Sequence, residues 1–315
     1  MAKERTVMDS KVFILVLNWN GKAYTLSCLD TLEDLEYGNC ETIVIDNGST
    51  DGSEEAIRTL YPAVKVIQNG RNLGYSEGNN RGIQFALEHG ADYIFLINND
   101  TRIQKNCVTE LVKRAEENPN FGILGPVAFD YETGKEPLDS GFQIDLEVSE
   151  HGSIFKSING ERILNQANAV VEVDFVQGDA FFIKRAVFEK VGTFDSRFFL
   201  LHEEADLCVR AKNAGFSVGV VKNAAFQRMA SPTIGVNTPL RSYYSTRNTF
   251  LFVSKHSPAS KRERNIKQTV RRIKWNIQGY YLPSFCKTGC LNYLKCVVSI
   301  LRGCADFFLG RFGRM

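Results

Sequence analysis

Short apolar runs alternate with helical stretches of roughly ten to fifteen residues along the first hundred positions. Lys11 to Trp19, KVFILVLNW, is almost continuously apolar, as a strand covered on both faces of a parallel sheet would be. A helix is expected from about Lys22 to Glu33, a strand over Thr42 to Ile45, and a helix from near Ser53 that ends before Pro62. A strand over Val64 to Ile67, a helix reaching about Glu88 with His89-Gly90 as its stop, and a strand over Tyr93 to Ile97 complete the run. Such alternation predicts βαβ units and an α/β fold, a doubly wound and mostly parallel sheet.

After Pro126 the pattern loosens. Residues 130–170 are polar and without strong period, which reads as an insertion or a mobile loop. Alternation returns at Val171 to Phe182, a pattern for strands in a mixed or antiparallel part of the sheet. A short helix near Arg185 to Val191 follows, and Glu203 to Ala214 reads as a helix stopped by Gly215.

Two acidic segments stop at the carboxyl ends of predicted strands: IVIDNGSTDGS (Ile43 to Ser53) and FLINNDT (Phe95 to Thr101). Loops from neighbouring strands converge there in an open α/β sheet, so Asp46, Asp51 and Asp100 would share one mouth. Taken singly, these are also ordinary turn residues, and Asp100 and Thr101 would serve equally as caps of a helix over Gln104 to Glu116. One Asp suffices for a hard ion such as Mg²⁺ only when a diphosphate completes the shell, which argues for a metal that arrives with its nucleotide. In HEEAD, Glu203, Glu204 and Asp206 suit the first turn of a helix, with Asp206 four residues before Arg210. The apolar run RFFLL before them also offers desolvation, which would raise a carboxylate towards a useful base. NLGYSEGNN is a weak anion-loop signal, for it lacks GxGxxG and the P-loop lysine.

Composition adds an ordinary globular balance, 43% hydrophobic and 23% charged over 315 residues. Eight scattered cysteines without metal-ligand spacing read as reduced thiols, and no signal peptide is recognised before the first strand, which together suggest a cytoplasmic protein. The net charge of +2 conceals a division. From Lys255 to Met315 there are 13 Lys and Arg against Glu263 and Asp306, +11, which leaves −9 on residues 1–254. That basic tail, 255–315, suggests an anionic partner. It contains two helical stretches, Lys261 to about Ile277 and Leu291 to Leu309, separated by Pro283 and Gly289. The second places Leu294, Val297, Val298, Leu301, Ala305 and Phe308 on one face, yet it is too charged to span a bilayer. An anionic membrane surface, the protein's own body and a second subunit in a homodimer are the surfaces that face would suit. Nucleic acid is disfavoured, since no recognised motif accompanies the basic residues.

Read together, LNWNG (17–21), VIDNGSTDGS (44–53), NLGYSEGNNRG (72–82), LINNDT (96–101), Gly178 with the following IKR (183–185), GTFDSRFFLLHEEADLCVRAKNAGF (192–216) and YYSTRN (243–248) resemble the inverting GT-A glycosyltransferases of family two, in particular their bacterial rhamnosyltransferase-like branch. The resemblance covers residues 11–254 in order. It implies a Rossmann-like GT-A sheet with helices on both faces and a nucleotide-sugar donor, with dTDP-rhamnose the first choice and a UDP-hexose the second. The acceptor would be a hydroxyl of a cell-surface glycan or lipid-linked molecule, met in the cytoplasm at the inner membrane face. By the same resemblance, Asp46 contacts base or ribose with Asp51 nearby, and Asn18, Asn47, Asn72, Gly74, Asn79 and Asn99 line the donor site. Asn98 and Asp100 hold the outer places of a DxD motif, Asp100 meeting Mg²⁺ or Mn²⁺, and Arg247 lies near the diphosphate or acceptor. Glu203 and Glu204 match an ED pair with Glu204 as catalytic base, and Gly178, Asp179 and His202 border the acceptor. Two positions depart from the pattern: Asn98 stands for an acid, and Gln227 stands where relatives place a metal-holding His.

The expected chemistry is a single displacement at the anomeric carbon, requiring one catalytic carboxylate rather than the pair used to hydrolyse a glycoside. A dehydrogenase or nucleotidyltransferase is the rival enzyme class, opposed by the absence of GxGxxG after the first strand. A nucleotide-sugar-binding scaffold without activity is the non-catalytic alternative.

Overall fold

A computed structural model describes residues 9–147, 153–229 and 237–315; residues 148–152 in the 130–170 stretch and Ala230-Ser231 of NAAFQRMAS lie outside the described residues. The first half runs β1 (Val12–Asn18), α1 (Lys22–Glu33), β2 (Cys40–Asp46), α2 (Ser53–Leu60), β3 (Lys65–Gln68), α3 (Gly74–Glu88), β4 (Tyr93–Asn98), β5 (Thr101–Ile103), α4 (Cys107–Glu117) and β6 (Phe121–Asp130). Then follow β7 (Asp139–Ile144), β8 (Phe155–Asn159), α5 (Gly160–Leu164), β9 (Val170–Glu172), β10 (Phe175–Val176), β11 (Ala180–Lys184), α6 (Arg185–Val191), α7 (Glu203–Asn213) and β12 (Ser217–Arg228). The chain closes with α8 (Pro239–His256), α9 (Arg262–Asn276), a π-type turn at Ile277–Tyr281, α10 (Leu282–Thr288) and α11 (Leu291–Phe308).

The main sheet has the order β3-β2-β1-β4-β11-β6-β12-β5, with β9 also on β12. Its first four strands are parallel, and β11 runs antiparallel to both β4 and β6. Strand β1 explains this arrangement. Phe13 and Leu15 point to the α3 side with Ile43, Ile45 and Leu96, while Val12, Ile14 and Val16 point to the α1 and α4 side with Val44, Phe95 and Ile97. A strand buried on both faces has no polar side to present, and only its end, Asn18, carries a polar group. The strand order reverses at β1 and β4, where a crevice opens beyond the carboxyl ends. Register brings Asn18 opposite Asp46, and Leu17 opposite Asn98.

The region expected to be an insertion or mobile loop is structured in its described part. β7 pairs with β8 and β10 in a small antiparallel sheet, and Phe142, Phe155 and Phe175 form an aromatic group in it. These apolar residues were too sparse among polar neighbours to set a period. Another difference lies at the FLINNDT turn. It leads into β5, and α4 starts only at Cys107, so Asp100 is not a cap of that helix.

The basic helices belong to the body. α11 lies along α8 closely enough that a side-chain carbon on Gly303 would stand 2.7 Å from the Tyr243 carbonyl. Asp306 accepts a 2.7 Å hydrogen bond from the Tyr243 hydroxyl across the same contact. The face of α11 buried there is Cys296, Val297, Ile300 and Gly303. The apolar stripe read from sequence instead points largely outward, with Val298 60%, Leu301 57% and Phe308 61% exposed. Helical spacing identified the stripe, but the small and polar residues fitted the narrow gap against α8. Among the described residues no helix is long and apolar enough to cross a membrane.

Gly303→Val should cost about 2 kcal/mol by overpacking this contact. Thermal melting should then register a fall of roughly 3 °C. A variant melting with the parent chain would contradict the close approach.

Candidate active site

Asn18, at the end of β1, is fully buried and holds the crevice together. Its amide nitrogen donates to Asp46 Oδ2 at 2.8 Å and to Ser49 Oγ at 3.1 Å. Its oxygen accepts from Thr25 Oγ1 at 2.8 Å, Gly21 N at 3.2 Å and Asn99 Nδ2 at 3.3 Å. Asp46 also accepts from Ser49 N and Gln68, which fixes the turn after β2. Asn47 reaches across to the third loop, donating to the Gly74 carbonyl at 3.0 Å and accepting from Asn69 at 2.9 Å. Asn72 Oδ1 accepts from Gly74 N at 2.8 Å. Gly74 has φ +81°, and a side-chain carbon there would stand 2.5 Å from the Phe199 carbonyl, so both conformation and contact demand glycine.

A cleft of ≈ 450 Å³ opens on these residues. Trp19, Asn47, Asn72, Asn98, Asn99 and Asp100 line its sheet side. Tyr244, Arg302, Arg314 and Met315 line the other, so the basic helices supply a wall of the same cleft. Arg302 was visible in the sequence only as a charge interrupting an apolar face, and Arg314 carried no signal at all.

Two expected donor-site residues serve elsewhere. Asp51 is exposed and accepts from the backbone N–H groups of Lys22, at 2.9 Å, and Ser53, at 3.1 Å, fixing the starts of α1 and α2. Slight burial opposes its ionisation, but the hydrogen bonds from Ser53 and Lys22 win and hold its pKa below the ordinary value. Asn79 is buried within α3 and donates to the Tyr75 carbonyl one turn earlier.

Around Asp179 the acidic groups converge. Asp179 accepts from Asn98 Nδ2 at 2.7 Å and pairs with Arg228 at 3.0 Å. Asp100 lies near both and has one buried carboxylate oxygen without a hydrogen-bond partner. Burial, and then the charge of Asp179, push its pKa up to about 6. An orphaned carboxylate oxygen beside a second carboxylate fits a hard divalent ion whose remaining ligands come from a diphosphate and water. Asp100, with Asp179 adjacent, would hold such an ion. No group of three or more His, Cys, Asp or Glu among the described residues forms a cage by itself. Gln227 has a different position from that expected: its amide lies over Gly134, 2.8 Å from where a side-chain carbon would be. The β12 side chain that meets the acidic group is Arg228, because neighbours on a strand point to opposite faces.

The candidate base stands on the other side of Asp179. Glu204 is the second residue of α7, its carboxyl carbon 3.7 Å from the side-chain position of Gly178, while the Gly178 carbonyl accepts from Tyr75 Oη at 2.7 Å. Glu203 is 4% exposed with one carboxylate oxygen unpartnered. Burial first, and Glu204 second, drive Glu203 well above the carboxylate range, which keeps it neutral. Burial pushes Glu204 to about 7, with Asp179 contributing in the same direction. Two neighbouring carboxylates thus separate into one that retains its proton and one that exchanges it near neutrality. His202, held neutral by burial and the nearby Arg241, has a pKa of about 4.

The loop before α7 is strained: Phe199, Leu201 and His202 have φ of 60°, 72° and 73°. Non-glycine residues there cost of order 1–3 kcal/mol each and need external support. Asn248 supplies it, donating to the carbonyls of Phe198, Leu200 and Leu201 at 2.7–2.8 Å. Arg247, expected near the diphosphate, is 0% exposed and adds bonds to the Arg197, Phe198 and Gly313 carbonyls. This corrects the role read from sequence. Its guanidinium is consumed by backbone oxygens, and the motif YYSTRN gave no indication of which way it points.

Carboxyl-edge loops, a cleft beside an orphaned carboxylate, and a half-buried carboxylate near pKa 7 define a nucleotide-dependent group-transfer site. The Glycosyl transferase family 2 model matches residues 13–192, and the chain belongs to that family of nucleotide-sugar glycosyltransferases. Shigella flexneri dTDP-rhamnosyl transferase RfbF is 26% identical over 262 residues, 79% of this chain and 82% of its own. The N-acetylglucosaminyl-diphospho-decaprenol L-rhamnosyltransferase of Mycobacterium tuberculosis is 25% identical over 233 residues, 68% and 75% of the two chains. In fold, the Pyrobaculum calidifontis mannosyltransferase PcManGT, solved with GDP-Man and Mn²⁺, aligns with TM-score 0.58 at 13% identity over 96% of this chain and 88% of its own. S. aureus TarS 1–349 with UDP-GlcNAc aligns with TM-score 0.58 at 14% identity, over 94% and 80%. The GT-A fold expected from the motifs is therefore the one observed.

Asn248→Ala should lower stability by about 1–3 kcal/mol, because the partly buried Leu200 and Leu201 carbonyls lose their donor while Phe198 keeps only Arg247. Turnover should fall more than donor affinity does. A chain that melts and turns over normally would show that the loop needs no clamp.

Proposed function

We propose that the chain is an inverting transferase that moves a sugar, rhamnose from dTDP-rhamnose as first choice, to a hydroxyl of a lipid-linked or cell-surface glycan acceptor. The observation that carries the mechanism is Glu204, half-buried beside Gly178 and near Asp179, where desolvation raises its pKa to about 7. Glu204 takes the proton from the acceptor hydroxyl as that oxygen forms its bond to the anomeric carbon. The bond from that carbon to the diphosphate oxygen breaks on the opposite face, and the nucleoside diphosphate leaves with the electron pair. Glu203, neutral and adjacent, keeps a second negative charge away from the base. Arg302 and Arg314, on the cleft wall, offset the charge growing on the leaving group. A divalent ion held at Asp100, when bound, would add Lewis-acid stabilisation to the diphosphate. The preference for rhamnose is supported by the names of the two rhamnosyltransferase relatives. The lipid-linked acceptor class is supported by the diphospho-decaprenol in one of those names.

A membrane-surface position has its own support. The outward stripe of α11 combines Leu294, Val298, Leu301 and Phe308 with the +11 charge of residues 255–315. Apolar area together with lysine and arginine suits an anionic bilayer surface, on the cytoplasmic side in this reading.

Glu204→Gln should reduce kcat about a hundredfold or more while donor affinity stays near that of the parent. In the parent, kcat/KM should fall as pH drops below about 7, because only deprotonated Glu204 accepts the proton. Near-normal turnover in the variant, or a flat profile down to pH 5.5, would reject the base. Separately, V298S/L301S/F308S should no longer float with vesicles containing phosphatidylglycerol, whereas the parent should; equal flotation would reject the membrane face.

A further inference from the structure

Tyr75 is tied at both of its ends to the two segments that meet at Glu204. Its backbone N–H, in the first turn of α3, donates at 2.6 Å to the Phe199 carbonyl, in the loop that leads into α7. Its hydroxyl donates at 2.7 Å to the Gly178 carbonyl, in the turn before β11. The first N–H groups of a helix have no partner within it, and here Tyr75 N, with Ser76 N at 3.3 Å, is given to Phe199. These two N–H groups thus serve the protein rather than an anion, and one side chain spans from the loop that carries Glu204 to the turn that faces it.

Gly178 shows what lies between those segments. A side-chain carbon there would stand 3.7 Å from both the Glu204 carboxyl carbon and Tyr75 Oη, and 3.8 Å from Glu204 Cβ. These are ordinary contact distances, unlike the 2.5 Å at Gly74, so crowding does not impose a glycine at 178. The turn is pinned from the sheet as well. Asn98 donates to Asp179 twice, from its backbone N–H to the carbonyl at 2.9 Å and from its amide to Oδ1 at 2.7 Å. Both Tyr75 and Asn98 line the ≈ 450 Å³ cleft, so the turn joins residues of the cleft wall to Glu204.

The side chain suits a fixed spacer. Its ring meets Phe194 edge-on, with 5.9 Å between centroids, and aromatic side chains of this kind lose little freedom when ordered. Burial first, then the charges of Glu203, Glu204 and Asp179, hold the Tyr75 pKa well above its ordinary value. The hydroxyl therefore keeps its proton and remains a donor to Gly178.

We propose that Tyr75 is a positioning residue for sugar transfer, which through the Gly178 carbonyl sets the gap between the Gly178-Asp179 turn and Glu204 where the acceptor hydroxyl meets the base. This role rests on the reading of Glu204 as that base and extends it to a residue of the cleft wall. A glycan acceptor is large and needs the gap at one width, whereas water enters it at many. In the competing hydrolysis, the water oxygen bonds to the anomeric carbon, its proton passes to Glu204, and the nucleoside diphosphate leaves with the electron pair. Loss of the hydroxyl therefore costs transfer more than hydrolysis, because a small misplacement of a bulky reactant is expensive.

The ratio of transfer to donor hydrolysis reads this role, with dTDP-rhamnose as donor and N-acetylglucosaminyl diphospho-farnesol as acceptor. Tyr75→Phe in the full chain should lower that ratio about tenfold, the kinetic equivalent of one lost hydrogen bond, while affinity for dTDP stays near that of the parent. Gly178→Ala, whose methyl enters the gap at ordinary contact distance, should lower the ratio in the same direction without a change in melting temperature. Tyr93→Phe should keep the parent's ratio, since it removes a hydroxyl bonded at 2.7 Å to Glu116 at the other end of β4. A parent-like ratio in folded Tyr75→Phe, or equal falls in transfer and hydrolysis, would overturn the proposal. Should that variant fail to fold, a parent-like ratio in Gly178→Ala would overturn it instead. Absence of transfer by the parent chain would refute the transferase reading and this role with it, whereas transfer by the parent with an unchanged ratio in the variants refutes this role alone.

Discussion

The site depends on a loop that would not hold its shape alone. Three of its residues, Phe199, Leu201 and His202, sit in left-handed backbone conformations, and Asn248 and Arg247 hold the loop by donating to its carbonyls. That loop then supports the others: the Phe199 carbonyl accepts from Tyr75 N at 2.6 Å, Gly74 packs against Phe199, and the Tyr75 hydroxyl reaches the Gly178 carbonyl. One clamp on α8 therefore fixes the start of α7, the loop lining the cleft and the turn beside Glu204. Strain is retained here because releasing it would mean breaking buried hydrogen bonds in several directions at once.

Burial then determines how each acid behaves. Asp206, as buried as Glu203, is held ionised below its ordinary pKa because His256, Arg210 and Lys255 surround it. Glu203 and Glu204, one helical turn away or less, have no such partners and rise instead. The helix dipole favours all three, yet a direct ion pair outweighs it. The acid held ionised and the acids raised in pKa are thus separated by which cations the neighbouring helix presents. α8 presents Lys255 and His256 to Asp206, but Thr249 and Ser245 to the His202 side.

Much of the sheet was legible because β1, β2 and β4 are buried on both faces, and a short, continuous apolar run that ends in Asn or Asp suits a covered strand far better than a helix or a loop. The crevice residues Asn18, Asp46, Asn98 and Asp100 were found for the same reason, since each marks the point where a strand stops being apolar. Side-chain direction was not legible. Arg247 and Gln227 occupy motif positions, but only packing reveals that one faces backbone carbonyls and that Arg228 rather than Gln227 meets Asp179. Strands β7 and β8 were hidden because they are short and their aromatic residues are widely spaced, whereas β10 falls in the Val171–Phe182 stretch read as strands. Arg302 and Arg314 were hidden by distance, being brought to the cleft from more than two hundred residues beyond Asp100 in sequence by the contact of α11 with α8.

That last contact changes the meaning of the charge division. Residues 255–315 carry +11, and the rest of the chain carries −9. Read from sequence alone, the charge of the tail suggested an anionic partner, while its apolar face suited a membrane surface, the protein's own body or a second subunit. Folded, it places Arg302 and Arg314 on the wall opposite Asp100. The acidic groups of the sheet edge would by themselves repel a diphosphate. Arg302 on α11 and Arg314 just beyond it oppose that local field from the cleft wall without pairing with the carboxylates proposed for the chemistry. The two halves also meet in direct ion pairs away from the cleft, Lys255 with Asp195 and Asp206 and Lys261 with Glu147, so the division of charge along the sequence becomes a set of contacts in the fold.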